Sequence, residues 1–472
     1  MIKVLFSILL STLALDMVSF KDYSYAIVDR QVPYTVTVDC GRAPLTAEVC
    51  PHSKGITPVV DGKQVSFTVS EYGQYELLAD GVRYFVFADA PQEKVEGRSI
   101  MSYREVDPKG VKDITQIVQK AINETAGKGE TLVFPEGTYL CRQISLPSNT
   151  HIHLEKGAVI LANPSSFEDF DAGDNVKTKR FINIKDADNV KITGQGAING
   201  NGRALREQFG DKARMRLVMA IASTDILVEG VMLQDPGSWN TQILRCENVI
   251  FRNVKIMNDY DLSNTDGFDP DASKNVLLEN SFAMCSDDNV AMKTTGYSGY
   301  GGSLRDVTVR GCVFITKKSS LKLGTETKGN EMRNILFENN DVLEFDRGMA
   351  IYIEDGTRMC DVRYVDNRFE RYSVNVSYDN GQKDKYKVKG KVTGFEFVVK
   401  RRKENSRLGS LSGLTVENCS FESPFLKNAT VQAEPGAGFQ LFVKNLVISG
   451  RKVSNVTEAD IVEKGAEVVF EQ

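Results

Sequence analysis

A short unit of the form Asn/Asp-apolar-x-apolar recurs down the chain from about residue 140, and it leaves few folds open. The copies begin at Asn189, Asp225, Asn248, Asn275, Asp306, Asn334, Asp361, Gly413 and Asn445, as in Asn248-Val249-Ile250-Phe251. Successive first positions differ by 36, 23, 27, 31, 28, 27, 52 and 32. One short strand signature per repeat, with little helix between copies, is the pattern of a strand solenoid. It disfavours leucine-rich and βαβ arrangements. The fold class predicted is therefore all-β: a right-handed parallel β-helix over 91–472. Uneven steps predict loops of variable length, and the step of 52 predicts one coil with an insertion, since 374–406 is charged and loop-like.

Upstream the texture differs. Tyr34-Thr35-Val36-Thr37-Val38, Val65-Ser66-Phe67-Thr68-Val69 and Tyr84-Phe85-Val86-Phe87 alternate at period two, with Asp61-Gly62 and Asp80-Gly81 as turns. This predicts a small antiparallel, sandwich-like β domain over 27–90, followed by a linker at Ala90–Lys94. Asp113 and Gln116 stand as a capping box, with Ile114, Ile117, Val118, Ala121 and Ile122 on one helical face. That helix is expected to cap the first coil of the solenoid. At the amino end, Lys3 precedes an apolar run from Val4 to Leu15, the size of a signal-peptide core and too short to span a membrane. Residues 1–26 read as an export signal, with Ser24-Tyr25-Ala26 as the cleavage site; a buried amino-terminal strand is the alternative. Export is thus expected, to the periplasm or the medium.

Composition narrows the chemistry. With 58 Lys+Arg against 63 Asp+Glu, the chain lacks the basic surplus of a nucleic-acid binder. The three histidines, His52, His151 and His153, all lie early, so no mechanism can draw a histidine from the later coils. Eight cysteines show no CxxC pair, which removes zinc clusters and dithiol chemistry; they read as buried thiols, with Cys40–Cys50 a possible staple.

Two stretches stand out: Asn264-Thr265-Asp266-Gly267-Phe268-Asp269 and Cys285-Ser286-Asp287-Asp288-Asn289. Asp266 and Asp287 are 21 apart, close to one coil, so neighbouring strands about 4.8 Å apart bring Asp266, Asp287 and Asp288 together. Crowded carboxylates push at least one pKa upward and leave a protonated acid beside ionised bases, as glycoside hydrolysis requires. Local caps in a turn-rich loop, or a Ca²⁺ site, account for the same residues.

Together with Val133-Phe134-Pro135-Glu136-Gly137-Thr138-Tyr139 and the repeated coils, these motifs resemble glycoside hydrolase family 28, the polygalacturonases, over about 100–450. The resemblance implies an inverting hydrolase with no cofactor and no metal. Asp287 would be its general acid, Asp266 and Asp288 would hold and activate water, and Asn264 would support Asp266. The family's Gly-His-Gly has no counterpart, and its Arg-Ile-Lys position reads Gly348-Met349-Ala350-Ile351-Tyr352, with both cations missing. Candidate replacements for reading the substrate are Lys293, Lys322, Glu326, Arg347, Tyr352 and Glu354, with Trp239 placed to stack on a sugar ring. Alternation puts Lys322 and Ser320 on one strand face, opposite Leu321 and Leu323. Lys400-Arg401-Arg402-Lys403 reads as a solvated loop. The expected partner is a polysaccharide or oligosaccharide, pectic first, met by a monomer without a membrane span. The alternatives are a Ca²⁺-dependent β-helix lyase, a dextranase-like hydrolase of a neutral glycan, and a non-catalytic glycan-binding β-helix.

Overall fold

The computed structural model describes residues 12–471 apart from 170–175, 177, 298, 300, 374–375, 380–381 and 389. The chain divides into two units, Met1–Lys94 and Val95–Gln472.

In the first unit, two sheets enclose one core. The strands Thr12–Ala14, Tyr34–Asp39, Gln64–Val69 and Val59–Asp61 form one sheet in that order. The other runs Val18–Phe20, Tyr23–Asp29, Val82–Asp89, Gly73–Ala79 and Ala47–Cys50. Alternation works as read: Tyr34, Val36, Val38, Val65, Phe67 and Val69 turn inward to meet Tyr75, Leu77 and Val86. Two features differ from expectation. The sheets are mixed, because Tyr23–Asp29 lies parallel to Val82–Asp89 and Thr12–Ala14 parallel to Tyr34–Asp39. The unit also begins before 27, and the expected cleavage site Ser24–Ala26 falls inside a fully paired strand. Residues 4–11 of the apolar run lie outside the described residues. The Cys40–Cys50 staple is not formed: Cys40 follows a strand of one sheet, and Cys50 ends a strand of the other.

In the second unit, the described residues form three long sheets of 13, 12 and 11 strands, stacked as a parallel β-helix. The recurring unit has a conformational cause. Asn189, Asp225, Asn248, Asn275, Asp306, Asn334, Asp361 and Gly413 all adopt left-handed backbone, with φ between 53° and 62°. Asn, Asp and Gly tolerate that region, whereas β-branched residues do not. The side chains then stack from coil to coil: Asn248 Nδ2 donates to Asp225 Oδ1 at 2.8 Å, and Asn275 Nδ2 to Asn248 Oδ1 at 2.7 Å. Immediately after this turn, Ile226, Val249, Val276, Val307, Ile335, Val362 and Leu414 pair in one register and are all buried, and Leu441 continues the row. Asn445 is out of phase with the other copies. Lys444 pairs with Glu417, so Asn445 stacks on Asn418 at the next turn, and Asn149 is an in-phase copy that the pattern missed.

The helix Thr115–Ala126 covers the first coil, burying Val118, Ala121 and Ile122 with Leu132 and Ile152. The capping box is not formed. Asp113 precedes the first helical residue by two, and its Oδ1 instead accepts from Thr115 N at 3.0 Å and Thr115 Oγ1 at 2.6 Å. Only part of 374–406 is an insertion. Val376–Asp379 and Gln382–Val388 make an antiparallel hairpin, but Thr393–Val399 is a fully buried strand alongside Arg347–Ile353.

The left-handed turn predicts two losses of unequal size. Asn248→Val, which strains the turn and removes two hydrogen bonds, should destabilise by about 2 kcal/mol. Asn248→Gly should lose less. Thermal melts of the two variants against wild type check this.

Candidate active site

The reactive stretches are consecutive passes of the 11-stranded sheet. Phe268 pairs with Val290 and Asp271 with Lys293, so Asp266 stands level with Asp288, where the spacing of 21 had suggested Asp287. One oxygen from each of Asp266, Asp287 and Asp288 lies within 4.8 Å of the others. Gly267 permits the approach: its N–H donates to Asp288 O at 2.9 Å, and a Cβ there would lie 2.5 Å from Asn289 O. Buried amides hold the turn from below. Asn258 Nδ2 donates to the carbonyls of Thr265 and Asp266, and Asn240 N–H donates to Asp266 O at 2.8 Å.

Two lysines divide the three carboxylates unequally. Lys293 is 2% exposed, and its Nζ lies 2.9 Å from Asp266 Oδ2 and 3.2 Å from Asp269 Oδ1. Lys322 Nζ lies 2.5 Å from Asp288 Oδ2, and Asp288 Oδ1 also accepts from Ser319 N at 3.0 Å. Among the described residues Asp287 has no ion pair; its Oδ1 accepts from Asp288 N at 3.0 Å. Burial, then the Asp266 and Asp288 charges, push Asp287 up to about 7. Burial acts the same way on Asp288, but Lys322 and Arg347 outweigh it and hold that carboxyl below its ordinary range. Burial also raises Asp266 and Asp269, against the pull of Lys293. The arrangement is a half-buried acid that keeps its proton near neutrality, beside a carboxylate that stays ionised.

The other candidates fare differently. Lys293, a candidate substrate contact by sequence, is buried as the counter-ion of Asp266 and Asp269. Trp239 was read as a stacking platform, yet Lys293 Nζ sits 3.3 Å and Arg216 Cζ 3.7 Å from its ring centroid. Two cations so close to one centroid take opposite faces, so the indole offers the groove an edge and no free face. Asn264 is exposed with φ 57°, and no hydrogen bond among the described residues joins it to Asp266. Alternation holds for Lys322, with Leu321 and Leu323 buried opposite.

Ala350, at the position of the missing cation, pairs with Lys322 on one side and Glu396 on the other. Arg347 Nη1 donates to Tyr352 Oη at 3.2 Å, and Tyr352 Oη donates to Glu396 Oε2 at 2.6 Å. Glu354 is turned away from that set and pairs with Lys400 at 3.4 Å and Arg402 at 3.6 Å. The basic run 400–403 is therefore no merely solvated loop; Arg402 also bridges Asp355 and the Thr325 carbonyl. Glu326 is half-buried, within electrostatic reach of Lys293 and Arg402. Asp269, Asp271, Arg216 and Glu396 were not singled out as site residues. For Asp269 and Asp271, alternation along Phe268-Asp269-Pro270-Asp271 was an available signal; Arg216 and Glu396 come from distant coils. His151 and His153 lie on the 13-stranded sheet, hydrogen-bonded to Thr193.

Comparison with known proteins gives the family and the fold. The profile of Glycosyl hydrolases family 28 matches residues 125–395. A probable polygalacturonase of Vitis vinifera is 26% identical over 262 residues, covering 50% of this chain and 53% of that protein. A probable endo-xylogalacturonan hydrolase A of Aspergillus niger is 27% identical over 219 residues, covering 43% and 52%. The chain thus spans about half the length of these curated relatives. In fold, it is similar to an exopolygalacturonase of Thermotoga maritima, with TM-score 0.64 and 20% identity over 81% of this chain and 93% of that one. Among the described residues, no helix is long and apolar enough to cross a membrane.

The raised Asp287 value has a consequence for stability. Its folded value of about 7 exceeds an unfolded value of about 3.9, so the native state holds an extra proton between them. Stability from that proton is full below the window and is lost as pH rises through about 7. Asp287→Asn should therefore melt above wild type at pH 8 and level with it at pH 4, by calorimetry at both.

Proposed function

The chain belongs to the glycosyl hydrolases family 28, and on that premise we propose that it is an inverting glycosidase of polygalacturonase type acting on a pectic glycan. The observation that carries the reading is the unequal sharing of two lysines among three carboxylates. Asp287, left without a counter-ion and raised by burial and its neighbours, is the general acid for the leaving oxygen. Asp288, held ionised by Lys322, and Asp266 orient a water and draw off its proton as it attacks the anomeric carbon. The proton from Asp287 leaves with the departing sugar, and the water's proton remains on the base, so charge in the site is conserved. Lys293 and Lys322 are positioning residues that set which carboxylate is which.

The inverting course rests on the family resemblance. The carboxylate oxygens lie within 4.8 Å of one another, closer than the roughly 6.5–9.5 Å of most inverting pairs. The anomer released in the first turnover, read by NMR, decides it: inversion is expected, and retention would make Asp288 a nucleophile. A Ca²⁺ lyase is disfavoured because two ammonium groups already compensate the acids that would bind the ion. We also propose export, which rests on the apolar run Val4–Leu15; recovery of the protein outside the cytoplasm tests it.

Three outcomes follow on polygalacturonate, measured as new reducing ends. Asp287→Asn should lower kcat by about 10²–10⁴ with the fold intact. The wild-type rate should fall as pH rises through about 7, because the acid loses its proton there. Chelator should leave the rate unchanged, whereas a lyase would stop and would instead release unsaturated products absorbing in the ultraviolet.

A further inference from the structure

In the first unit, three side chains with metal-binding atoms come from one short stretch, Glu48-Val49-Cys50-Pro51-His52. Glu48 and Cys50 lie on Ala47–Cys50, the edge strand of the five-stranded sheet, antiparallel to Gly73–Ala79. Val49 joins the core of the unit, so alternation turns Glu48 and Cys50 to the opposite face. Pro51 stays extended, with φ −67° and ψ 141°, and carries the alternation one step further to His52. The chain then turns over His52–Lys54, where Gly55, at φ 61°, donates its N–H to the His52 carbonyl at 3.0 Å. Strand pairing on one side and this turn on the other fix the backbone that carries all three residues.

Neighbours on one strand face stand about 7 Å apart along the strand, a gap that a long Glu and a His can close over a short Cys between them. They close it here. A carboxylate oxygen of Glu48, the Cys50 sulfur and an imidazole nitrogen of His52 all lie within 4.8 Å of one another. His52 Nε2 stands 3.6 Å from Glu48 Oε2, too far for a hydrogen bond. A tetrahedral zinc bonded to nitrogen and carboxylate oxygen at about 2.1 Å sets those two atoms about 3.4 Å apart. The pair therefore already holds the spacing of two ligands of one ion. The Glu48 and His52 side chains are 46% and 40% exposed and give an ion access, whereas Cys50 is fully buried. Glu76, level with Cys50 on the neighbouring strand, is taken by Arg83 at 2.9 Å, which leaves three protein ligands. Thiolate, imidazole and carboxylate together suit zinc; Ca²⁺ and Mg²⁺ take oxygen ligands and would leave the sulfur and nitrogen unused. A search for paired cysteines passes over a site that contains one.

We propose that Glu48, Cys50 and His52 form a zinc site in the first unit, with the carboxylate, the thiolate and the imidazole as ligands and water in the fourth position. Binding breaks the Cys50 S–H bond and forms an S–Zn bond, and the proton passes to the buffer. The ion ties the end of an edge strand to the turn that follows it, at a place where the sheet supplies hydrogen bonds from one side only.

The full chain, with thiols reduced and metal removed by chelator, is titrated with zinc chloride in a calorimeter. Wild type should take up one zinc with a Kd tighter than about 10 μM and release about one proton, read from the dependence of the heat on the buffer. His52→Ala and Cys50→Ser should each weaken zinc at least about tenfold. Asp287→Asn, which alters the acid cluster of the second unit, should bind zinc as wild type does. Cobalt(II) in place of zinc should give wild type a thiolate-to-metal absorption in the near ultraviolet. Because the His52 side chain is partly exposed, His52→Ala decides the matter even where Cys50→Ser does not fold. A wild-type Kd weaker than about 10 μM would overturn the site, as would a weakening of less than about tenfold in His52→Ala. A cobalt spectrum without the thiolate band, or zinc lost in Asp287→Asn and kept in His52→Ala, would overturn it equally.

Discussion

Coil-to-coil backbone pairing is the constraint from which the remainder of the molecule is built. A parallel ladder must keep its register, because a slip of one residue turns every side chain to the other face. The left-handed turn at Asn189, Asp225, Asn248 and their successors resets the chain at the same point of each coil. The apolar position that follows is then delivered to one continuous core row. Because the turn recurs, coils of different length still close on the same register, and their loops vary without disturbing the ladder.

The same register assembles the chemistry. It sets Asp266 level with Asp288 and Asp271 level with Lys293, and so it buries a lysine among acids that would otherwise repel one another. Three carboxylates within 4.8 Å cannot share charge equally. Lys293 and Lys322 resolve the conflict by taking one acid each, and Asp287 is the acid left to keep a proton.

Much of this was legible in the residues. Period and strand alternation are local properties, so the solenoid, the small β unit and the covering helix could be read directly. Asp266, Asp287 and Asp288 could be grouped because one coil separates them. What misled were features whose meaning depends on a third residue. Trp239 looked available for a sugar until Arg216 and Lys293 occupied its faces. Lys293 looked like a surface cation until Asp266 and Asp269 enclosed it. Asn445 matched the repeat by composition and missed it by phase, since left-handed Asn, Asp or Gly residues serve two successive turns of the coils.

By itself, the sequence determined the fold class, because hydrophobic period and left-handed turn residues are written one coil at a time. It also determined which coils carry the acids, because Asn264–Gly267 and Asp287–Asp288 sit one pass apart. Only the tertiary structure decided how Lys293 and Lys322 are shared among the acids, where Trp239 is spent, and which partners Arg216 and Glu396 take. Those outcomes depend on electrostatic and packing contacts between residues tens of positions apart, and such contacts exist only once the coils are stacked in register.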